Sequence, residues 1–362
     1  MRPLKILQVI SSAATSGAEK HSIALARRLQ LQGHSVDLLS PQIPWVRAEL
    51  EGTGVTVHQI DLKSGWGIPA LIQLNKLAKD RQYDLVHAHL SRAAYLSLLP
   101  TALQDIPLVC SVHVKTHYLI YRLASRKSNR VVAVSNYIQG LLEGSRVPAK
   151  YIDVVHNGTD FQDLQYAADH DVKSEFGLPG DRRLIGLVGR VAEEKGHLIA
   201  VNAMPKVLEE NPDAHLLFVG RAEGEFAEYL RKRVESQDLG SRVTFTGNRE
   251  DVARMLDAME FSILPSSAEA CPLAVLESMA RKRPVVGARI GGVDELVIHK
   301  ETGLLAEQTP EDFSAGMNYL LGHEDDRLRM GSNALQMIHE RFTFAQMMER
   351  MEAVYERAIK PE

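Results

Sequence analysis

Short apolar runs alternate with longer stretches of helical period along almost the whole chain. Leu4 to Ile10 is followed by amphipathic Glu19 to Leu31. Then come apolar Ser35 to Leu39 and Val55 to Ile60, helical Ala70 to Lys79, apolar Leu85 to His89, helical Ser91 to Leu103, and apolar Leu108 to His113 and Val131 to Ser135. Apolar runs this short and rich in Val, Ile and Leu suit strands covered on both faces, and the periodic stretches suit the helices that cover them. Strand, helix, strand in repetition predicts a parallel sheet of α/β class. A polar stretch, Gln162 to Glu175, interrupts the pattern. It restarts with Leu184 to Val188, His215 to Gly220, Arg242 to Thr246, Phe261 to Leu264 and Pro284 to Ala288. Two Rossmann-like domains are therefore expected, over residues 1–165 and 166–341, with ligands at the carboxyl ends of their strands. A last helical stretch, Phe342 to Ile359, either caps the second domain or crosses back to pack on the first.

Composition narrows the class. A chain of 362 residues exceeds one ordinary core, and 45% hydrophobic with 24% charged residues describes a soluble globular protein. The apolar stretches at Ile6 to Ile10 and Ala93 to Leu99 are too short to span a bilayer, and the N-terminus lacks the apolar core of a signal peptide, so a cytosolic protein is expected. Cys110 and Cys271 fall in different predicted domains, which argues against a structural disulfide and excludes a cysteine metal cluster. The net charge of −4 is uneven: residues 1–165 carry +6 and the remainder −10. The basic surplus of the first half suits an anionic lipid surface or an anionic acceptor, with simple solubility as the plain alternative. No nucleic-acid partner is expected.

Two segments of the second half carry the chemistry. Gly189 to Gly196 follows the run Leu184 to Val188 and sets Arg190 and Lys195 five residues apart where a strand gives way to a helix, a site for a diphosphate. Glu269 to Glu277 follows Phe261 to Leu264, with one carboxylate in the loop and one in the helix. Pro272 is read as the first helical residue, where its missing N–H costs nothing. The free amides around Cys271, Pro272 and Leu273, backed by the positive end of the helix dipole, would face an anion or sugar hydroxyls.

Arg190 and Lys195, with Glu269 and Glu277 forming a Glu-x7-Glu pattern, resemble the donor half of retaining glycosyltransferases of family 4, which have the GT-B fold of two Rossmann-like domains facing each other across a cleft. The resemblance implies that Arg190 and Lys195 hold the diphosphate of a nucleoside-diphosphate sugar, and that Glu269 and Glu277 serve the donor sugar and the nucleotide ribose. It further implies that the second domain binds the donor while the first builds the side for a glycan or lipid-linked acceptor. The loop Ser11 to Glu19 resembles the family's Gly-Gly-x-Glu segment, with Ser16 in place of its first glycine and Gly17 as the second. His113, at the end of its strand with its ring expected over the cleft, corresponds to a histidine beside the donor sugar; a hydrogen-bonded structural histidine is the plain alternative. For Glu277, that alternative is an i,i+4 ion pair with Arg281.

Other patterns carry less. His87 and His89 share one strand face, but no third ligand completes a metal shell; His87 is read as structural and His89 as lining the cleft. Asp169-His170-Asp171 spells a manganese-binding Asp-x-Asp but lies in the polar linker, so no metal ligand is assigned. Neither Ser11 to Glu19 nor Gly186 to Gly189 fits G-x-G-x-x-G, which disfavours a nicotinamide dehydrogenase. His117 to Arg130 interleaves Arg122, Arg126, Lys127 and Arg130 with Tyr118, Leu119, Ile120, Tyr121 and Leu123, a composition suited to an anionic membrane surface or to a core-facing helix with a solvated basic face. The expected activity is metal-independent, retaining transfer of a hexose from a nucleoside-diphosphate sugar to a hydroxyl, with no cofactor, in cell-envelope polysaccharide or glycolipid synthesis. A nucleotide-sugar epimerase of similar fold and a non-catalytic nucleotide-sugar binding protein are the rival readings.

Overall fold

The computed structural model describes residues 2–12, 17–41, 44–60, 67–160 and 171–360. The chain divides into two compact units, Met1–Asn157 with Gln346–Glu362, and Gly158–Ala345.

In the first unit seven parallel strands form one sheet. They are β1 (Lys5–Ile10), β2 (Ser35–Ser40), β3 (Thr56–Gln59), β4 (Leu85–His89), β5 (Leu108–Val112), β6 (Arg130–Ala133) and β7 (Ile152–Val154), in the order β3-β2-β1-β4-β5-β6-β7. Strands β4 and β5 are buried at every position, which is why they read as mainly apolar runs, with His87, His89 and Ser111 as buried polar exceptions. The helices are α1 (Gly17–Leu31), α2 (Pro44–Leu50), α3 (Ile68–Arg81), α4 (Ser91–Leu103), α5 (Leu119–Ala124) and α6 (Asn136–Gly144). Strand order reverses direction after β3, so right-handed crossovers place α1 and α2 on one face of the sheet and α3, α4 and α5 on the other. Helix α6 starts at Ser135, whose side chain accepts a hydrogen bond from the Ile138 amide at 3.3 Å.

The second unit repeats the plan with α7 (Val172–Glu175), β8 (Arg183–Val188), α8 (His197–Glu210), β9 (Ala214–Val219), α9 (Glu225–Ser236), β10 (Val243–Gly247), α10 (Val252–Ala258), β11 (Phe261–Leu264), α11 (Leu273–Ala280), β12 (Val285–Ala288), β13 (Gly303–Ala306), α12 (Pro310–Gly322) and α13 (Glu324–Arg341). Its six parallel strands run β10-β9-β8-β11-β12-β13. The core joins Ile185, Leu187, Phe218, Phe261 and Val286 of the sheet to Met204 of α8 and Phe313 of α12.

A last helix, α14 (Phe344–Ile359), groups with the first unit from Gln346 onward. Met347, Met351, Val354, Tyr355 and Ala358 make its buried stripe at helical spacing. Tyr355 reaches the His87 ring at 2.8 Å and Arg357 donates to Asp153 of β7 at 2.8 Å, which docks the helix on the first sheet.

Candidate active site

In both sheets the strand order turns at one place, between β1 and β4 and between β8 and β11. Loops leaving such neighbouring strands in opposite directions open a crevice at their carboxyl ends. The residues singled out in the second half sit there. Arg190 follows β8, and Glu269 to Leu273 follow β11.

Close backbone contacts hold these two loops together. Ser267 donates its amide to the Glu194 carbonyl at 2.9 Å, and Gly196 packs so tightly that a Cβ there would lie 2.1 Å from the Pro265 carbonyl oxygen. With φ of +72°, Gly196 also takes a conformation that favours glycine. On the far side of the β11 loop, the Gly292 amide donates to the Glu269 carbonyl at 3.1 Å. A Cβ on Gly292 would fall 1.6 Å from the Ala270 oxygen. The backbone at Glu269 is thereby fixed from two sides.

The charged groups meet within this frame. Lys195 Nζ donates to Glu269 Oε1 at 2.6 Å, in a pair whose carboxylate is only 10% exposed. Arg190 Nη2 donates to Glu194 Oε1 at 2.6 Å and lies half exposed. Each cation thus has a carboxylate to exchange for an incoming anion. Cys271 and Pro272 are buried, while Leu273 and Glu277 are half-buried. Pro272 corrects the sequence expectation by one position: its ψ of 120° is extended, so it caps α11 and Leu273 is the first helical residue. No side chain caps this helix; in its first turn the Val275 amide donates to the Pro272 carbonyl at 3.2 Å. Arg281 donates Nε–H to Asp257 at 2.8 Å. Asp171, the described part of the Asp-x-Asp, accepts the amides of Lys173 at 3.1 Å and Ser174 at 3.3 Å as the cap of α7. Asp169 and His170 lie outside the described residues.

The switch point of the first unit carries imidazoles. His113 follows β5 directly and its Nε2 lies 3.1 Å from His89 Nδ1; the His21 ring of α1 lies 5.0 Å from that of His113. Burial holds His21 down to about 4. His89 and His113 are lowered well below the ordinary range by burial and then by neighbouring imidazoles, so all three are neutral near pH 7. Nε2 of His21 and Nε2 of His89 are buried without a hydrogen-bond partner. The same three residues are the one described group of His, Cys, Asp and Glu side chains spaced to hold a metal ion, with ligand nitrogens within 4.8 Å of one another. His89 corrects the sequence reading: it is fully buried, between the rings of His87 and His113, and lines no open surface. His87 has both ring nitrogens engaged, by Tyr355 and by Ser111, each at 2.8 Å. His21 was not singled out from the sequence, although its place beside Ser22 and Leu25 on the sheet-facing side of α1 was the available signal. Gly17 opens α1, and Ser16 lies outside the described residues.

The basic stretch 117–130 divides. Leu119, Arg122, Leu123, Arg126 and Lys127 are exposed, whereas Ile120 and Tyr121 are buried. Arg130 corrects the expectation of a membrane-facing cation. Its guanidinium is clamped on Asp153 of the neighbouring strand at 2.7 and 3.0 Å.

Two parallel-sheet units of matching strand order, the first longer by β7, define an α/β protein of the GT-B type. Family profiles and solved structures agree. Residues 15–163 match Glycosyltransferase Family 4 and residues 169–337 match Glycosyl transferases group 1. The chain belongs to the group 1 glycosyltransferases. It is 27% identical over 309 residues to the UDP-Gal:alpha-D-GlcNAc-diphosphoundecaprenol alpha-1,3-galactosyltransferase of Escherichia coli, covering 79% of this chain and 78% of that one. With the N-acetyl-alpha-D-glucosaminyl L-malate synthase of Bacillus anthracis it shares 25% identity over 91% of each chain. Among solved structures, Anabaena HepE in complex with UDP and glucose superposes with a TM-score of 0.88 at 21% identity over 98% of this chain and 99% of that one. A glycosyltransferase from Rickettsia africae gives 0.90 at 22% identity over the whole of both chains.

Proposed function

We propose that this glycosyltransferase moves a hexose from a nucleoside-diphosphate sugar to a hydroxyl of a glycan or lipid-linked acceptor, with retention at the anomeric carbon and no metal requirement. The reading places it on the cytoplasmic side, peripheral to the membrane, in cell-envelope polysaccharide or glycolipid synthesis. The observation that carries it is the Lys195–Glu269 contact of 2.6 Å at the second switch point, with Arg190 on the same loop as Lys195. Arg190, Lys195 and the first-turn amides of α11 meet the charge that develops on the leaving diphosphate, the task a metal performs in other transferases. Glu269 accepts from sugar hydroxyls and Glu277 from the ribose. The neutral His113 of the first unit offers a hydrogen bond to the reacting sugar. Relatives that act on UDP-galactose or carry UDP and glucose support a nucleotide-sugar donor.

The test is transfer from α-configured UDP- and GDP-hexoses to a lipid-linked saccharide, with the product's anomeric configuration read by NMR and the reaction repeated in EDTA. An α-linked product and undiminished turnover in EDTA are expected. A β-linked product removes retention, and turnover that vanishes in EDTA and returns with manganese or magnesium removes the role given to Arg190 and Lys195.

A further inference from the structure

Seven of the eleven exposed large apolar side chains among the described residues lie on three consecutive helices of the first unit, α3, α4 and α5. These helices pack side by side as one layer over a single face of the sheet, with α4 in the middle. Helix α4 is apolar on all sides, Arg92 being its one charged residue. A helix of that composition belongs in a core or against an apolar phase. Here one side, Ala93, Ala94, Leu96, Ser97 and Pro100, is buried, while Tyr95, Leu99 and Leu103 project outward, the leucines 53% and 64% exposed. Ile68 and Ile72 of α3 and Leu119 and Leu123 of α5 are exposed on the helices that flank it.

Charge identifies the occupant. The chain as a whole carries −4, yet residues 68–127 hold eight Lys and Arg against three Asp, and no glutamate occurs between Glu51 and Glu143. Lys76 and Lys79 of α3, Arg92 of α4, and Arg122 and Arg126 at α5 are exposed among the apolar positions, while Lys127 is paired with Asp105 at 3.2 Å. Aliphatic and tyrosine side chains framed by a surplus of cations match the headgroup boundary of an anionic bilayer. A protein partner of complementary shape would have to supply both an apolar surface and several carboxylates. Among the described residues no helix is long and apolar enough to cross a membrane, so contact through this layer would be at the surface.

We infer that the outer face of α3, α4 and α5 is an anionic-membrane docking surface, with Leu99 and Leu103 entering the acyl boundary and the flanking cations meeting lipid phosphates. The inference rests on the membrane part of the proposed function and enlarges it from the 117–130 stretch to a three-helix face centred on α4.

The experiment is co-sedimentation of the full chain with vesicles of phosphatidylcholine alone and with about one-third phosphatidylglycerol, at low and high salt. Wild type sediments with the anionic vesicles at low salt and is partly released by high salt. L99E/L103E loses binding by about a hundredfold, from roughly tenfold for each leucine withdrawn from an apolar phase. Ile72→Glu, on the neighbouring helix, gives an independent loss of about tenfold. Fluorescence of Trp45, on α2 of the same unit, followed in urea confirms that each variant is folded. Wild type that stays in the supernatant refutes the membrane reading itself. Wild type that sediments together with an unimpaired L99E/L103E leaves that reading standing and refutes this face. Lipid-free self-association that is abolished in L99E/L103E shows that a second copy covers the face, and overturns the inference.

Discussion

Replacing Glu269 by glutamine separates the two halves of the donor, because the structure joins them in one ion pair. Lys195 Nζ and Glu269 Oε1 are 2.6 Å apart, the lysine 30% and the carboxylate 10% exposed. In the proposed reading the diphosphate takes Lys195 and the sugar takes Glu269, so binding exchanges this contact for two new ones. A hydrogen bond to a charged group is worth about 1.5–3 kcal/mol net, which sets the loss of nucleoside-diphosphate affinity in Lys195→Ala at about ten- to a hundredfold. Glu269→Gln keeps the side chain's size and removes the charge that competes for Lys195. Diphosphate affinity should then be unchanged or a few-fold tighter, while turnover falls by about 10²- to 10³-fold, as expected when one preorganised hydrogen bond is removed from the reacting centre. In a Lys195→Ala background the Glu269→Gln effect on diphosphate affinity should disappear, since it acts through the lysine. Calorimetry with the diphosphate and initial rates with the donor measure both halves of the cycle. If Glu269→Gln weakens diphosphate binding more than about tenfold, or turns over like wild type, the assignment is refuted.

His113→Ala should keep diphosphate affinity and lose turnover by about 10²- to 10³-fold; abolished diphosphate binding in a folded protein would remove His113 from the sugar. Gly196→Ala should lower the urea midpoint of the second unit and weaken diphosphate binding together, because its Cβ would meet the Pro265 oxygen at 2.1 Å and force the β8 and β11 loops apart; an unchanged midpoint contradicts the close approach. Acid should unfold the first unit early. His21 is held near 4 in the fold against 6.5 unfolded, so the unfolded chain binds more protons between those values: stability is whole above about 6.5 and falls as the pH drops, by about 2 kcal/mol at about pH 5 from His21 alone. The two tryptophans, Trp45 and Trp66, both fall in the first unit, so their fluorescence in urea at about pH 7.5 and pH 5 reads the effect, and equal midpoints would refute it.

The sheets were legible because a strand buried on both faces must be mostly apolar, and β4, β5, β8 and β11 are short runs of mainly Val, Ile, Leu and Phe, broken by polar residues only at His87, His89, Ser111, Arg183 and Ser262. The edge strand β7 escaped because it has three residues with Asp153 in the centre, and β13, at the edge of the second sheet, because Gly303 to Ala306 is short. The loops after β8 and β11 stood out as charged or proline-bearing segments directly behind apolar runs. Their pairing did not, because Lys195 and Glu269 are 74 positions apart and only the register of β8 beside β11 brings them together. His21 was hidden for a similar reason. The period of α1 marks a buried face, but only the sheet order shows that this face meets the ends of β4 and β5.

The two switch points use the same topology for opposite electrostatic ends. A neutral imidazole can be desolvated in advance, since it offers a donor and an acceptor without carrying charge, and so His21, His89 and His113 are buried before any ligand arrives. A cation cannot be left desolvated and unpaired, because removing it from water costs far more than any one hydrogen bond returns. Arg190 and Lys195 therefore remain partly exposed and paired, with Glu194 and Glu269 respectively. In the proposed reading that arrangement sets the order of events at the donor site. An incoming diphosphate would relieve Lys195 of Glu269, and the carboxylate so released would be free to accept from the sugar hydroxyls carried in by the same molecule. Nucleotide without sugar would strand Glu269 at low exposure with no new partner, so on this argument the hexose contributes to donor affinity through a residue that never touches the phosphates.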